Sequence, residues 1–215
     1  MQKIYTKSEA IKIVVECAKK YKEELEEKTL IFICINKHKN VSYFEFTFHA
    51  YNFMHLTGLI PAQSNTDNAE KSVSPIVFYK KCLNHKLSDT DFEFKEDGTS
   101  HLKLDALPTL ICKNLNANII GDYNGITPKL ITDKLAGNTQ KCMGFRLTEK
   151  SEYIPNTILK IDIRNYIKNN VRVIAVFRKK CISEQYDELT YKAKNIEWSK
   201  IKFPEEISYL YSSLI

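Results

Sequence analysis

The chain has 215 residues, long enough for one sizeable core or two small ones. It is 43% hydrophobic and 27% charged, the balance of a globular protein, and no apolar run approaches the roughly 20 residues that span a bilayer. The net charge of +6 is uneven: residues 1–107 hold 15 Lys/Arg and 15 Asp/Glu, residues 108–215 hold 17 and 11, so the whole excess (17 − 11 = 6) lies in the second half, where an anionic partner is expected to dock. A solvated basic face without a partner gives the same count.

The first residues lack the apolar core of a secretory signal. Cys17, Cys34, Cys82, Cys112, Cys142 and Cys181 are widely spread, with none of the close pairs of a zinc site. Reduced, mostly buried thiols and a cytoplasmic location are the expectation.

Thr6 and Glu9 have capping-box spacing ahead of Ile11, Val14, Ala18, Tyr21 and Leu25, which recur at helical intervals. Residues 29–35 form a β-rich apolar run, residues 37–40 a polar turn, and residues 41–48 alternate with Phe44, Phe46 and Phe48 on one face; together they predict a β-hairpin. A corner follows. A short helix is predicted from about Ala50 to Gly58, carrying His55 one turn after Asn52, with His49 at the end of the strand. Imidazoles titrate near pH 7 and suit proton transfer, although local hydrogen bonding explains them equally well.

Residues 63–74 are polar and are expected to be a mobile connection. A second helix is predicted near residues 76–83, an exposed turn over 91–98, and a third helix near 101–114 that Pro108 starts or kinks. From Ala117 onward the pattern turns to strands, over 118–123, 141–148, 153–161, 171–179 and 189–198, with a last short helix toward Ile215. No linker or repeat divides the chain. The expected fold is therefore a single α+β domain over residues 1–215, with an N-terminal helix and β-hairpin and short helices packed on a twisted antiparallel sheet formed mainly by residues 117–198.

Strand parity places Met143, Phe145 and Leu147 on one face and Arg146 on the other. It likewise groups Val171, Val173, Ala175 and Phe177 opposite Arg172 and Arg178. If these strands are neighbours, Arg146, Arg178, Thr190 and Lys192 share a face that suits a phosphate, because guanidinium forks bind its oxygens in pairs. A polar solvent face gives the same pattern. The chain has no phosphate-binding glycine loop, dinucleotide fingerprint, His-Glu-x-x-His motif or serine elbow. Side-chain chemistry without metal or cofactor is expected.

Asn52-Phe53-Met54-His55-Leu56-Thr57-Gly58, Phe78-Tyr79, Lys103-Leu104-Asp105-Ala106-Leu107, Ile120-Gly121-Asp122-Tyr123, Val176-Phe177-Arg178-Lys179 and Leu189-Thr190-Tyr191-Lys192-Ala193-Lys194 come in that order. In this series, spanning roughly residues 25–200, the chain resembles the phage-associated branch of the barnase–EndoU–colicin–RelE-like nucleases, found in polyvalent phage and mobile-element proteins of bacteria. The resemblance implies a small α+β fold and metal-independent RNA cleavage used in conflict between phage, plasmid and host. It implies RNA, including tRNA, as partner, with an antitoxin or immunity protein as another, no membrane and no cofactor. For such cleavage His55 is the candidate acid or base, with His49 second; Arg146 and Arg178 would stabilise the transition state and Thr190 would bond a phosphate oxygen. Lys103, Lys192, Asn52 and Tyr191 are the substrate-binding candidates, with Tyr51 and Tyr191 placed to stack on bases. A non-catalytic nucleic-acid- or protein-binding module with the same fold is the alternative.

Overall fold

The computed structural model describes residues 3–62, 73–126 and 129–215. Helix α1 (Lys7–Glu24) opens with the capping box, Thr6 accepting from the Glu9 N–H while Glu9 accepts from the Thr6 N–H. Strands β1 (Lys28–Ile35) and β2 (Val41–Phe48) follow, then α2 (Asn52–Thr57), β3 (Ile60–Pro61), α3 (Pro75–Leu83), β4 (Phe92–Glu93) and α4 (Thr99–Leu110). The second half supplies β5 (Ile119–Tyr123), β6 (Lys134–Gly137), β7 (Cys142–Leu147), β8 (Tyr153–Leu159), β9 (Ile167–Lys180) and β10 (Glu188–Lys192). A 3-10 helix over Glu205–Ser213 ends the described chain. The polar connection expected at 63–74 falls almost entirely outside the described residues.

The strands do not form an open twisted sheet. They run β1-β2-β8-β7-β6-β5-β9, and β9 returns to β1, closing a seven-stranded barrel with β10 added on β9. β1 and β2 pair antiparallel from Lys28↔Phe48 to Ile35↔Val41, and β1 pairs on its other side with β9. They are staves of the ring and not a unit apart from residues 117–198. Closure between β2 and β8 rests on one parallel pair, Phe46↔Tyr153. The packing there is dense: the Phe46 and Phe145 rings stack at 3.8 Å, and Phe46 meets Tyr153 edge-on at 6.0 Å.

One face of the strands (Phe32, Phe46, Phe48, Ile120, Met143, Phe145, Ile158, Val176) shares its core with the buried sides of all four helices. The other face forms a second core with the C-terminal 3-10 helix, through Ile31, Ile33, Phe177, Trp198, Ile207 and Leu210. Val173 and Phe177, expected on one face, lie in different cores. Ile33 pairs with Ala175 and Cys34 with Val173, so Ile174 is an extra residue in β9, and this bulge reverses the alternation. The segment expected as an exposed turn at 91–98 contains Phe92, which is fully buried. All six cysteines are unpaired, and burial pushes the Cys17, Cys82 and Cys142 thiols up to about 12. Among the described residues no helix is long and apolar enough to cross a membrane.

Candidate functional site

The corner after β2 is fixed from several directions. The Asn52 side-chain oxygen accepts the His49 N–H at 2.9 Å, and the Tyr21 hydroxyl donates to the His49 carbonyl at 2.9 Å. Phe53 and Leu56 are fully buried and anchor α2. Gly58 stops the helix with φ +74°, a left-handed conformation that glycine adopts without strain. Its missing Cβ matters too, because a Cβ there would stand 2.7 Å from Lys103 Cδ. Ser100 Oγ donates to the Gly58 carbonyl at 2.7 Å and ties α2 to α4. His55 is thereby presented as an exposed side chain on a firmly held helix.

Arg146 reaches the same place from β7, 91 positions later (146 − 55). Phe145 points into the core and Arg146, by alternation, points out. Beside it β8 bulges: Gly144 pairs with Thr157 and Phe145 with Pro155, leaving Asn156 as the extra residue. Tyr51, Asn52 and His55 face Arg146, Ile154, Pro155, Asn156 and Ile131 across a groove of about 270 Å³. Among the described residues one imidazole and one guanidinium line it, and no carboxylate does. Arg146 makes no ion pair among the described residues. Although the side chain stays exposed overall, partial loss of solvent at the ring, then the charges of Lys103 and Lys95, hold the His55 imidazole below its ordinary pKa. That direction favours the neutral ring, the form that accepts a proton.

The other sequence candidates fall elsewhere. Lys103 does not line the groove. Its Nζ lies 3.5 Å from the His55 carbonyl, behind the helix, and burial, then Lys95, push its pKa down to about 8. Asn52 lines the groove but is buried, its side-chain oxygen spent on the His49 N–H. His49 Nδ1 lies 3.3 Å from Glu27 Oε1.

Arg178 is not beside Arg146, because β7 and β9 are not adjacent staves. It donates to Glu24 at 2.8 Å and to Glu188 at 2.5–2.8 Å, with its side chain only 11% exposed. Thr190 is the extra residue where β10 slips against Val176–Phe177, and its hydroxyl lies 3.1 Å from both the Lys113 and Val176 carbonyls. Lys192 Nζ stands 5.8 Å over the Trp198 ring, and Tyr191 packs partly buried against both large cores. The expected common face of Arg146, Arg178, Thr190 and Lys192 does not form. Asn156 and Ile131 were missed as groove residues. Pro155 inside a strand pattern was the readable cue, since an interior proline marks a bulge or an edge.

No curated protein and no solved structure matches the chain. A family model described as phage-Barnase-EndoU-ColicinE5/D-RelE like nuclease4 matches residues 13–195, which takes in α2, the groove and β10. The family is one of barnase–EndoU–colicin–RelE-type nucleases, which supports a nuclease function in general. Over most of its length, then, this chain belongs to the phage-associated Barnase-EndoU-ColicinE5/D-RelE like nuclease4 family.

Proposed function

We propose that the chain is an endoribonuclease that cuts RNA through the RNA's own 2′-hydroxyl, in the conflict systems of phages and mobile elements. The observation that carries this reading is the groove that joins His55 and Arg146 with no carboxylate among its described lining residues. Among the described residues its walls carry no like charge against a polyanion, and an imidazole and a guanidinium without an ion pair line the same groove.

In the step so assigned, the 2′-oxygen forms a bond to phosphorus and its proton passes to the His55 imidazole. The bond from phosphorus to the 5′-oxygen breaks, leaving a 2′,3′-cyclic phosphate, and the departing oxygen takes a proton from solvent. Arg146 stabilises the charge that builds on the non-bridging oxygens. Lys103 acts through His55: its charge behind the helix favours the proton-accepting form of the ring.

Incubation of the purified protein with total RNA in EDTA, with mapping of cut ends, tests the reading. Fragments ending in cyclic phosphate, lost in His55→Ala, are the expected result. Intact RNA with wild-type protein under all conditions refutes it. The engagement of Arg178 by two carboxylates favours a second reading, a fold kept for binding RNA without cutting it. A shift of RNA mobility without loss of substrate is its signature.

A further inference from the structure

Tyr51 lines the groove four positions before His55, with its ring 41% exposed. A lone exposed tyrosine is ordinary. This one is supported from beneath: the His49 imidazole lies nearly parallel to it, centroids 5.2 Å apart at 16°. The lower ring is itself pinned, through its main chain to Asn52 and Tyr21 and through Nδ1 to Glu27. The result is a two-ring aromatic platform at the groove, with His49 in offset-parallel contact with Tyr51. Tyr191, the other tyrosine placed by sequence to stack on bases, is partly buried against both large cores.

Resting on the reading of the groove as an RNA site, we infer that Tyr51 is its specificity-determining residue: it takes one unpaired base in stacking contact and so selects single-stranded RNA. A base inside a duplex is covered on both faces by its neighbours and is not available to a protein ring. A volume of about 270 Å³, just below the range of drug-sized cavities (roughly 300–1,000 Å³), leaves room for no more than about one nucleotide unit. Arg146 on the same groove then meets the phosphate that the stacked base carries. Any base has a π face, so the platform sets strandedness and not sequence.

The test is binding of 2′-O-methyl oligonucleotides, which cannot be cut through the 2′-position, followed by fluorescence anisotropy. The same strand is offered alone and annealed to its complement, with 2-aminopurine at one position to report stacking. Wild type and Tyr51→Phe should bind the single strand more tightly than the duplex and quench the 2-aminopurine. Tyr51→Leu, which keeps apolar bulk without a π face, and Tyr51→Ala should bind the single strand roughly 5- to 150-fold more weakly and lose the quench. Duplex binding should be the same in all four, and unchanged melting temperatures show that the fold is intact. Tyr51→Leu binding like wild type, or wild type preferring duplex, overturns the inference while leaving the RNA reading in place. If wild type binds neither form, the RNA reading fails and the inference fails with it.

Discussion

Two arginines on strands of the same barrel have opposite fates. Arg178 lies at the junction of α1, β9 and β10, where Glu24 and Glu188 neutralise it and solvent is largely excluded. Arg146 lies on β7 at a groove with no carboxylate among the described residues, its side chain open to water. In sequence the two look alike: each follows an apolar Phe in an alternating strand. What separates them is the charge that distant segments bring. Glu24 arrives from the first helix, 154 positions before Arg178 (178 − 24), whereas the neighbours of Arg146 are Ile131, Ile154, Pro155 and Asn156. A cation is available to a substrate only where the fold leaves it unpaired.

The widest separation between the regions is expected at His55. His55→Ala should lower cleavage by about 10²–10⁴-fold, the usual contribution of a positioned proton acceptor, and leave the melting temperature nearly unchanged because the ring is exposed. A melting temperature lowered by several degrees with activity retained would instead assign His55 to the fold. Arg146→Ala should cost about 10- to 100-fold in cleavage, below the roughly 10²–10³ of enclosed oxyanion sites, again with little change in stability. Salt-titrated binding should show a shallower slope for this variant.

Arg178→Met should behave in the opposite way. It strands two carboxylates and should cost about 2 kcal/mol, less than a fully buried pair because Glu24 and Glu188 are 27% and 39% exposed. For a chain of this size that lowers the melting temperature by roughly 4–8 °C. If Arg178→Met instead abolishes cleavage in a fully folded protein, the contrast between the two arginines collapses, and Arg178 rejoins the catalytic set. Gly58→Ala should destabilise by about 1–2 kcal/mol through its positive φ and its contact with Lys103, measured by urea unfolding.

The smallest effect sharpens the account of His55. Lys103→Met removes one of the two lysines that lower its pKa, so the imidazole should titrate closer to 6.5 by NMR. Cleavage needs the neutral ring, so the acid limb of the pH profile should move to higher pH and the ratio of activity at pH 6 to that at pH 8 should fall. Lys103 itself has its pKa lowered from 10.5 to about 8 in the folded state. Between those values the unfolded chain holds a proton at Lys103 that the folded one does not, so Lys103 adds stability as the pH rises from 8 toward 10.5, against the loss from the buried thiols that stay protonated when folded. Wild type should therefore lose less stability over that range than the Met variant.

Local rules made much of the fold readable. The Thr6–Glu9 box, the alternation of Phe44, Phe46 and Phe48, and Gly58 as a helix stop are short-range effects, and each marks its element in the chain. Barrel closure is not such an effect, since the return of β9 to β1 depends on pairing between distant residues, as in Leu30↔Arg178, 148 positions apart (178 − 30). Bulges hid the faces. One extra residue at Ile174 and another at Thr190 reverse which side chains point where, so period-two counting grouped Val173 with Phe177 and placed Thr190 with the arginines. His55 and Arg146 were both readable as candidates, but not that they share one groove while Arg178 does not.

The seam between β2 and β8 has a consequence for timing. The parallel pair Phe46↔Tyr153 joins the corner that carries His55 to the strand that forms the opposite wall. A nascent chain that has emerged only to residue 140 already contains His55, Tyr51 and Asn52, yet it lacks Arg146, Ile154, Pro155 and Asn156, and β9 has not been made to complete the ring. Domains form during synthesis from the N-terminus onward. The groove therefore assembles only after Asn156 has been made, and a product that stops before Arg146 carries the imidazole without its guanidinium. Under the proposed RNA cleavage, a nascent chain that stops short of Arg146 should act on its own messenger far more weakly than one that has passed it.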